Sequence, residues 1–165
     1  MLMAEARVIT KLNFLTRKEG YSGYGEFNQL HWPFAAGEKE NKLISKMFQS
    51  YKKIYIVCGH NNLANQIVYK YYKTFSKNIH LKFNKKFGKD YDMFIGGNIV
   101  AQIYYTKSFR DQLDKSYSKM RCLGQGGFNE LYKNLFLKKT KITVVITRNP
   151  ELAKFYKEKI TENFK

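Results

Sequence analysis

Seven lysines lie between residues 70 and 89, and no aspartate or glutamate lies among them. A lysine ammonium binds a phosphate oxygen as a point charge, and several lysines along a polyphosphate release the counterions that the polymer holds. Across all 165 residues the formal net charge is +17, which a polyanionic partner would neutralise. The run therefore predicts nucleic-acid binding, and the plain alternative is a solvated lysine face. The seven are Lys70, Lys73, Lys77, Lys82, Lys85, Lys86 and Lys89.

Aromatic side chains are interleaved with this run at Tyr69, Tyr71 and Tyr72. Rings of this kind can stack on unpaired bases while lysines neutralise the phosphates. At helical spacing the alternative is that Tyr71 and Tyr72 belong to the helix core. A later basic group is expected to extend the surface, and it consists of Lys133, Lys138, Lys139 and Lys141.

Two acids, Asp90 and Asp92, are the best candidates for a metal-dependent nuclease site. Such a site needs a further acid and a lysine on a neighbouring strand to hold the metal and activate water. The next strand offers Gln102 and Lys107 and no acid, so the pattern is incomplete. Acids in a polar loop are the plain alternative.

Glycines at 124, 126 and 127 precede a helical pattern and could cradle a phosphate, or loosely imitate an acetyl-CoA loop. They lack the Gly-Lys-Ser/Thr of a P-loop and the preceding strand of a dinucleotide fingerprint. His31, His60 and His80 share no ligand spacing with one another or with the two cysteines, Cys58 and Cys122. We therefore predict no catalytic residue, no metal site and no cofactor, and leave enzymatic activity open.

Composition favours one folded domain, because 44% of the residues are hydrophobic. Residues 1–36 carry little net charge and include a Gly/aromatic loop at 20–34, so they are expected to form an N-terminal extension to a basic domain at 37–165. Cys58 lies in an apolar run and is expected to be a buried free thiol. No apolar stretch is long enough to span a bilayer, and no membrane partner is expected.

Predicted helices and strands alternate along the domain. This alternation predicts an α/β fold, and more narrowly an α+β sandwich with helices packed on a mixed sheet. The periodicities favour helices at 38–51, 63–75, 109–120, 128–135 and from Pro150. Ile54–Cys58 is a continuous apolar run typical of a strand buried on both faces. Asn61 or Asn62 is expected to cap the second helix. Further strands are expected at 78–84, 99–105 and 142–146, and an apolar stretch at 93–95 precedes the Gly96-Gly97 turn.

The order of features over residues 38–107 resembles the N-terminal domain of the large-subunit ribosomal protein ten family. The residues that carry the resemblance are the Asn61–Leu63 turn, the Leu81–Lys86 segment and the Gly96-Gly97 turn before Ile99–Tyr105. The resemblance implies binding to ribosomal RNA at the stalk base of the large subunit, beside neighbouring ribosomal proteins. It also implies that the lysines at 82–89 make the closest RNA contacts.

The sequence thus favours a non-catalytic RNA-binding component of a ribonucleoprotein, involved in translation on the ribosome. The expected compartment is the cytoplasm of a low-GC organism or the mitochondrial matrix. A small basic nuclease of toxin or phage type is the alternative, and an acyltransferase-like domain is a third possibility.

Overall fold

The structure is a computed structural model, and it describes residues 21–30, 38–86, 90–120 and 141–165. Several sequence predictions lie outside these residues, including those for the first 20 residues, the glycines at 124–127 and the helix at 128–135. So do three of the predicted nucleic-acid-binding residues, namely Lys89, Lys138 and Lys139, together with Lys133, His31 and Cys122.

The described chain contains strands and helices in near alternation. Its strands are β1 (Gly23–Phe27), β2 (Ile54–Cys58), β3 (Ile79–Phe83), β4 (Tyr91–Gly96), β5 (Ile99–Tyr105) and β6 (Ile142–Arg148). Its helices are α1 (Glu38–Ser50), α2 (Leu63–Phe75), α3 (Lys107–Lys119) and α4 (Pro150–Glu162).

The strands form a six-stranded mixed sheet with the order β3-β2-β1-β4-β5-β6. β1, β2 and β3 are parallel, whereas β4, β5 and β6 each pair antiparallel with the preceding neighbour in that order. Helices pack on this sheet, and the predicted α+β fold is confirmed.

β1 corrects one prediction, because the sequence favoured an irregular loop over residues 20–34. Gly25 is required in the strand, since a Cβ there would lie 2.3 Å from Cε2 of Phe27. Gly23 faces the ring of Tyr51, with the nearest ring atom 3.4 Å from a Cβ built there. Small residues thus let two aromatic rings pack across β1, and the sheet includes residues on both sides of the boundary expected near residue 36.

The two faces of the sheet are covered differently. On one face, α1, α2 and α3 bury a large apolar cluster that includes Phe48, Tyr72 and Leu113, and this is the α1–α3 face. On the other, the α4 face, Ala153 and Ile160 of α4 pack in a smaller cluster with residues of β2, β4 and β5. β2 contributes to both clusters, which confirms the prediction of a strand buried on both sides.

Local signals fix the helix starts. The Asn62 side chain accepts a hydrogen bond from the Asn65 N–H and caps α2, as one of the two predicted caps. Thr106 caps α3 in the same way, and Asn149 caps α4 with Pro150 in its first turn. None of the helices in the described ranges combines the length and apolar composition that crossing a bilayer requires.

Candidate nucleic-acid interface

Six of the seven lysines predicted between residues 70 and 89 lie in the described residues, along the β3 edge of the sheet. Lys70 and Lys73 lie on the second half of α2, and Lys77 lies in the turn that follows. β3 carries Lys82, and the next turn carries Lys85 and Lys86, so the six extend along the whole strand. All six side chains are exposed, and together we call them the basic edge.

Acidic residues are absent from the segment of sequence that carries the basic edge. Between residues 41 and 89 the chain contains eleven lysines and neither aspartate nor glutamate. Ion pairs within the described residues include those of Lys42 with Glu38, Lys107 with Asp111, Lys154 with Glu158 and Arg110 with Asp92. None of these pairs involves a lysine of the basic edge.

One lysine of the basic edge is already engaged by the protein. Lys73 Nζ donates a hydrogen bond of 2.8 Å to the carbonyl of Lys77 and lies 5.9 Å from the centre of the Tyr69 ring. This contact completes the end of α2, where a cation also complements the helix dipole. Lys73 is therefore less available for an external phosphate than Lys82 or Lys85.

A ladder of stacked rings crosses the α4 face beside the basic edge. Strand register places Tyr24 of β1 opposite Tyr55 of β2, and Tyr55 opposite His80 of β3. The Tyr24 and Tyr55 rings are 5.5 Å apart at 21°, and the Tyr55 and His80 rings are 5.4 Å apart at 22°. Both values are typical of offset stacking. We call Tyr24, Tyr55 and His80 the aromatic ladder.

The C-terminal helix holds the inner rungs of the aromatic ladder. The ring of Phe164 meets Tyr55 edge-on with centres 5.1 Å apart. Lys157 Nζ lies 5.9 Å from the centre of the Tyr24 ring and donates a 2.5 Å hydrogen bond to the Gly97 carbonyl. Partial burial lowers the pKa of Lys157 and raises the pKa of Tyr24. His80, the outer rung, is exposed.

The aromatic residues of α2 divide between core and surface. Tyr72 is buried and meets Phe48 edge-on with ring centres 4.9 Å apart. Tyr71 is 39% exposed and packs edge-on against Phe75. The core alternative therefore holds for Tyr72, and Tyr71 is the ring of this helix that reaches the surface next to the lysines.

A polar cleft of about 660 Å³ opens where the carboxyl ends of β1 and β2 meet α2 and α3. Lys85 belongs both to this cleft and to the basic edge. The cleft is lined by Gln29, Gly59, His60, Asn61, Asn62, Lys85, Asp114, Lys115 and Ser118.

The wall of the cleft rests on a network of amide side chains. Gln29 Oε1 accepts hydrogen bonds from Asn62 Nδ2 at 3.0 Å and Asn65 Nδ2 at 2.8 Å. Gln29 Nε2 donates to Asp114 at 2.8 Å, and Asn65 Oδ1 accepts from the Leu30 N–H at 2.7 Å. These polar groups satisfy one another in the interior, so the network fixes the loop after β1.

The two acids proposed for a nuclease site are not brought together with the residues that would complete it. Asp92 is buried, accepts a hydrogen bond from the Asn28 N–H at 2.9 Å, and lies 3.8 Å from Arg110. Register pairs Asp92 with Ile103, which places Gln102 on the opposite face of the sheet. In the described part of the chain, no group of three or more histidine, cysteine, aspartate or glutamate side chains is arranged to hold a metal ion.

Cys58 is a buried free thiol, as the sequence predicted. Its Sγ donates to the carbonyls of Asn28 and His60 at 3.5 and 3.6 Å. Burial raises the pKa of the Cys58 thiol to about 12, so the thiolate is almost absent at neutral pH. The residue packs in the core beside the cleft and is unsuited to act as a nucleophile.

The last predicted site residue in the described chain, Lys141, lies away from the others. It precedes β6, which is at the opposite edge of the sheet from β3. With neighbouring strands about 4.8 Å apart, five strand spacings separate the two edges by roughly 24 Å. Lys141 is exposed but does not extend the basic edge.

The comparisons with known proteins support the fold and remove one prediction. No protein-family model matches the sequence, and no curated protein matches it. Among solved structures, the chain is similar to TrmBL2, described as an archaeal chromatin protein with a novel mode of DNA binding. The TM-score is 0.52 at 14% identity, over 99% of this chain and 49% of that chain. This chain thus spans about half the length of TrmBL2.

The resemblance to the large-subunit ribosomal protein ten family is wrong. No family model supports it, and the fold is matched by a chromatin protein instead. The order of features that suggested it, a helix, an apolar strand, an Asn turn and a basic helix end, is common to successive strand-helix units. Such an order therefore does not distinguish one family from another.

Proposed function

We propose that this chain binds nucleic acid through phosphate contacts along the basic edge and acts as a binding protein rather than a catalyst. The observation that carries the proposal is the acid-free run of eleven lysines over residues 41–89, six of which form the exposed basic edge on α2, β3 and the turns that flank β3. Lysines concentrated in this way repel one another unless a polyanion lies against them.

The length of the basic edge suits a nucleic-acid backbone. At about 3.3 Å per residue, the stretch from Ile79 to Lys85 covers roughly 20 Å. One strand of a duplex has a phosphate about every 3.4 Å along the axis, so about six phosphates of each strand fall within an axial length of this size. Backbone contacts of this kind bind with little dependence on base sequence.

Two further observations favour binding over cleavage. The Asp92 carboxylate is occupied by the Asn28 N–H and faces the Arg110 guanidinium. The Cys58 thiol is buried, and its pKa is raised to about 12. The similarity to TrmBL2 is a reason to test duplex DNA as well as RNA, although at 14% identity it supports the fold alone.

The test is charge reversal on the basic edge with a matched control. We expect Lys82→Glu, Lys85→Glu and Lys86→Glu together to weaken binding at 100 mM salt by about 500-fold for duplex DNA and about 125-fold for single-stranded RNA. The estimates take about 0.9 decade of affinity per lost phosphate contact for a duplex and about 0.7 decade for a single strand at that salt concentration. Fluorescence anisotropy with labelled oligonucleotides gives the dissociation constants, and circular dichroism checks that the variant folds.

A control with the same change in net charge combines Lys141→Glu, Arg148→Glu and Lys154→Glu, which lie at β6 and on α4. We expect the control to lose less than about fivefold, since long-range charge is screened at this ionic strength. Equal losses in both triples would show that total charge matters and the basic edge does not. Cleavage of the bound strand with magnesium would instead favour the nuclease alternative.

A further inference from the structure

The aromatic ladder ends at the outer strand of the described sheet, where His80 presents a ring to solvent. We propose that an unpaired nucleobase stacks on the outer side of His80 as the next ring of the ladder. This inference rests on the proposed function and specifies the form of nucleic acid that the basic edge receives, namely a strand with at least one unpaired base.

The stacking direction supports the proposal. The three rings of the aromatic ladder succeed one another across β1, β2 and β3 at 5.5 and 5.4 Å, so each step matches about one strand spacing. The planes of each pair lie within 22° of one another. In the described structure no strand lies beyond β3, so the next position in the series lies in solvent at the sheet edge.

The ring of His80 is held in place before any base arrives. It stacks on Tyr55, which Phe164 contacts edge-on at 5.1 Å and which stacks in turn on Tyr24. A side chain that is already ordered loses little rotamer entropy when it makes a new contact. An exposed single ring without this support would have to be immobilised on binding.

A phosphate site lies next to the proposed base site. Lys82 follows His80 by two residues on the same strand, so both side chains point to the α4 face. Two residues of a strand cover about 6.6 Å, which places the Lys82 ammonium within reach of a phosphate attached to a stacked nucleotide. Lysines beside a stacking ring are the usual components of single-strand binding surfaces.

The consequence is a preference for unpaired strands. A base inside a duplex already stacks on its neighbours and presents only its edges in the grooves, so it cannot also cover the His80 ring. Stacking of one base on an aromatic side chain is worth about 1–3 kcal/mol by alanine substitution. That range converts to a loss of roughly 5- to 150-fold at 1.36 kcal/mol per tenfold change, and we expect about tenfold for the small imidazole ring.

The experiment compares a 12-nucleotide single strand carrying one 2-aminopurine with the same strand in a duplex. We expect His80→Ala to weaken single-strand binding about tenfold and duplex binding less than twofold. Wild-type protein should quench the 2-aminopurine fluorescence on binding, and His80→Ala should not. His80→Phe restores a ring that cannot carry charge, so it should recover both the affinity and the quenching.

His60→Ala is the matched control, because His60 is also exposed but lies at the polar cleft outside the aromatic ladder. It should leave single-strand binding unchanged. Equal losses for single strand and duplex, an unaffected His80→Ala variant, or failure of His80→Phe to restore binding would each overturn the stacking proposal.

Failure of this inference can be told apart from failure of the proposed function. If His80→Ala has no effect while the Lys82, Lys85 and Lys86 reversals still abolish binding, the basic edge stands and stacking is wrong. If neither oligonucleotide binds the wild-type protein, both proposals fail together.

Discussion

The number of phosphates that the basic edge contacts can be measured from the salt dependence of binding. Each lysine that neutralises a phosphate contributes about −0.9 to the slope of log affinity against log salt for duplex DNA, and about −0.7 for single strands. If all six described lysines of the basic edge take part, the slopes are about −5.4 and about −4.2. Raising salt from 50 to 200 mM then weakens duplex binding roughly 1,800-fold and single-strand binding roughly 340-fold.

Replacing the lysines with glutamine one at a time apportions this slope. We expect Lys82→Gln and Lys85→Gln each to make the duplex slope shallower by about 0.9 and to weaken binding about eightfold at 100 mM salt. Lys73→Gln should have a smaller effect, because Lys73 Nζ already donates to the Lys77 carbonyl. Lys141→Gln, at the other edge of the sheet, serves as the unaffected control.

Anisotropy titrations at four or more salt concentrations give each slope directly. A wild-type slope between zero and −2 would refute the basic edge as the main contact, since so few released ions cannot correspond to six lysines. An equal change for Lys141→Gln and Lys82→Gln would refute the assignment of the contact to β3. The His80→Ala variant should weaken single-strand binding at an unchanged slope, because stacking releases no counterions.

Two further predictions concern the interior beneath the polar cleft. Asn65→Ala removes hydrogen-bond partners from the Leu30 N–H, the Gln29 amide and the His60 carbonyl. We therefore expect urea titrations to show that the free energy of unfolding falls by about 3–5 kcal/mol, and by less than about 0.5 kcal/mol for the exposed control Asn61→Ala. A decrease below about 1 kcal/mol for Asn65→Ala would contradict this prediction. Cys58 should react with iodoacetamide at pH 8 far more slowly in native than in unfolded protein, as peptide mapping would show. The pKa of Cys58 is about 12 in the folded protein, above the ordinary value of 9.0. The contribution of the thiol to the free energy of unfolding is therefore full below pH 9 and is lost as pH rises towards 12, with about 1 kcal/mol lost at pH 10. Equal alkaline loss in Cys58→Ala would refute that contribution.

The parts of the fold that sequence reasoning found are those with local causes. Ile54–Cys58 was predicted as a buried strand because a short continuous apolar run is typical of a strand covered on both faces. The start of α4 follows from Asn149 and Pro150 alone. Each of these signals needs only the neighbouring residues, so no knowledge of the sheet order was required.

β1 was missed because its cause is not local. Three glycines and several aromatic residues between 20 and 34 indicate a loop when they are read in isolation. In the fold, the glycine positions of β1 are covered by Tyr51, which follows α1, and by Phe27. These rings fill the space that the glycines of β1 leave open on the sheet. A sequence pattern does not show which rings will lie there.

The sequence predicted one part of the candidate interface and missed the other. The lysines of the basic edge could be predicted, because a run of lysines without acids is visible in the sequence whatever the fold. The aromatic ladder could not, because Tyr24, Tyr55 and His80 are distant in sequence and are aligned only by parallel register. Each ring occupies the second position of its strand, but the sequence did not reveal this alignment because β1 was read as a loop.

The lysines that would favour the proposed binding also lower the stability of the fold, and the rest of the fold explains how the protein tolerates this. Six exposed lysines around the β3 edge of the sheet raise the free energy of the folded state through mutual repulsion. Two acids have partners outside the basic edge, because buried Asp92 faces Arg110 and partly buried Asp114 accepts a hydrogen bond from Gln29 in the cleft that Lys85 also lines. Folding is supported instead by neutral amide contacts and by apolar packing on both faces of the sheet. On the proposed function, a phosphate backbone bound along these lysines would remove their repulsion and stabilise the fold.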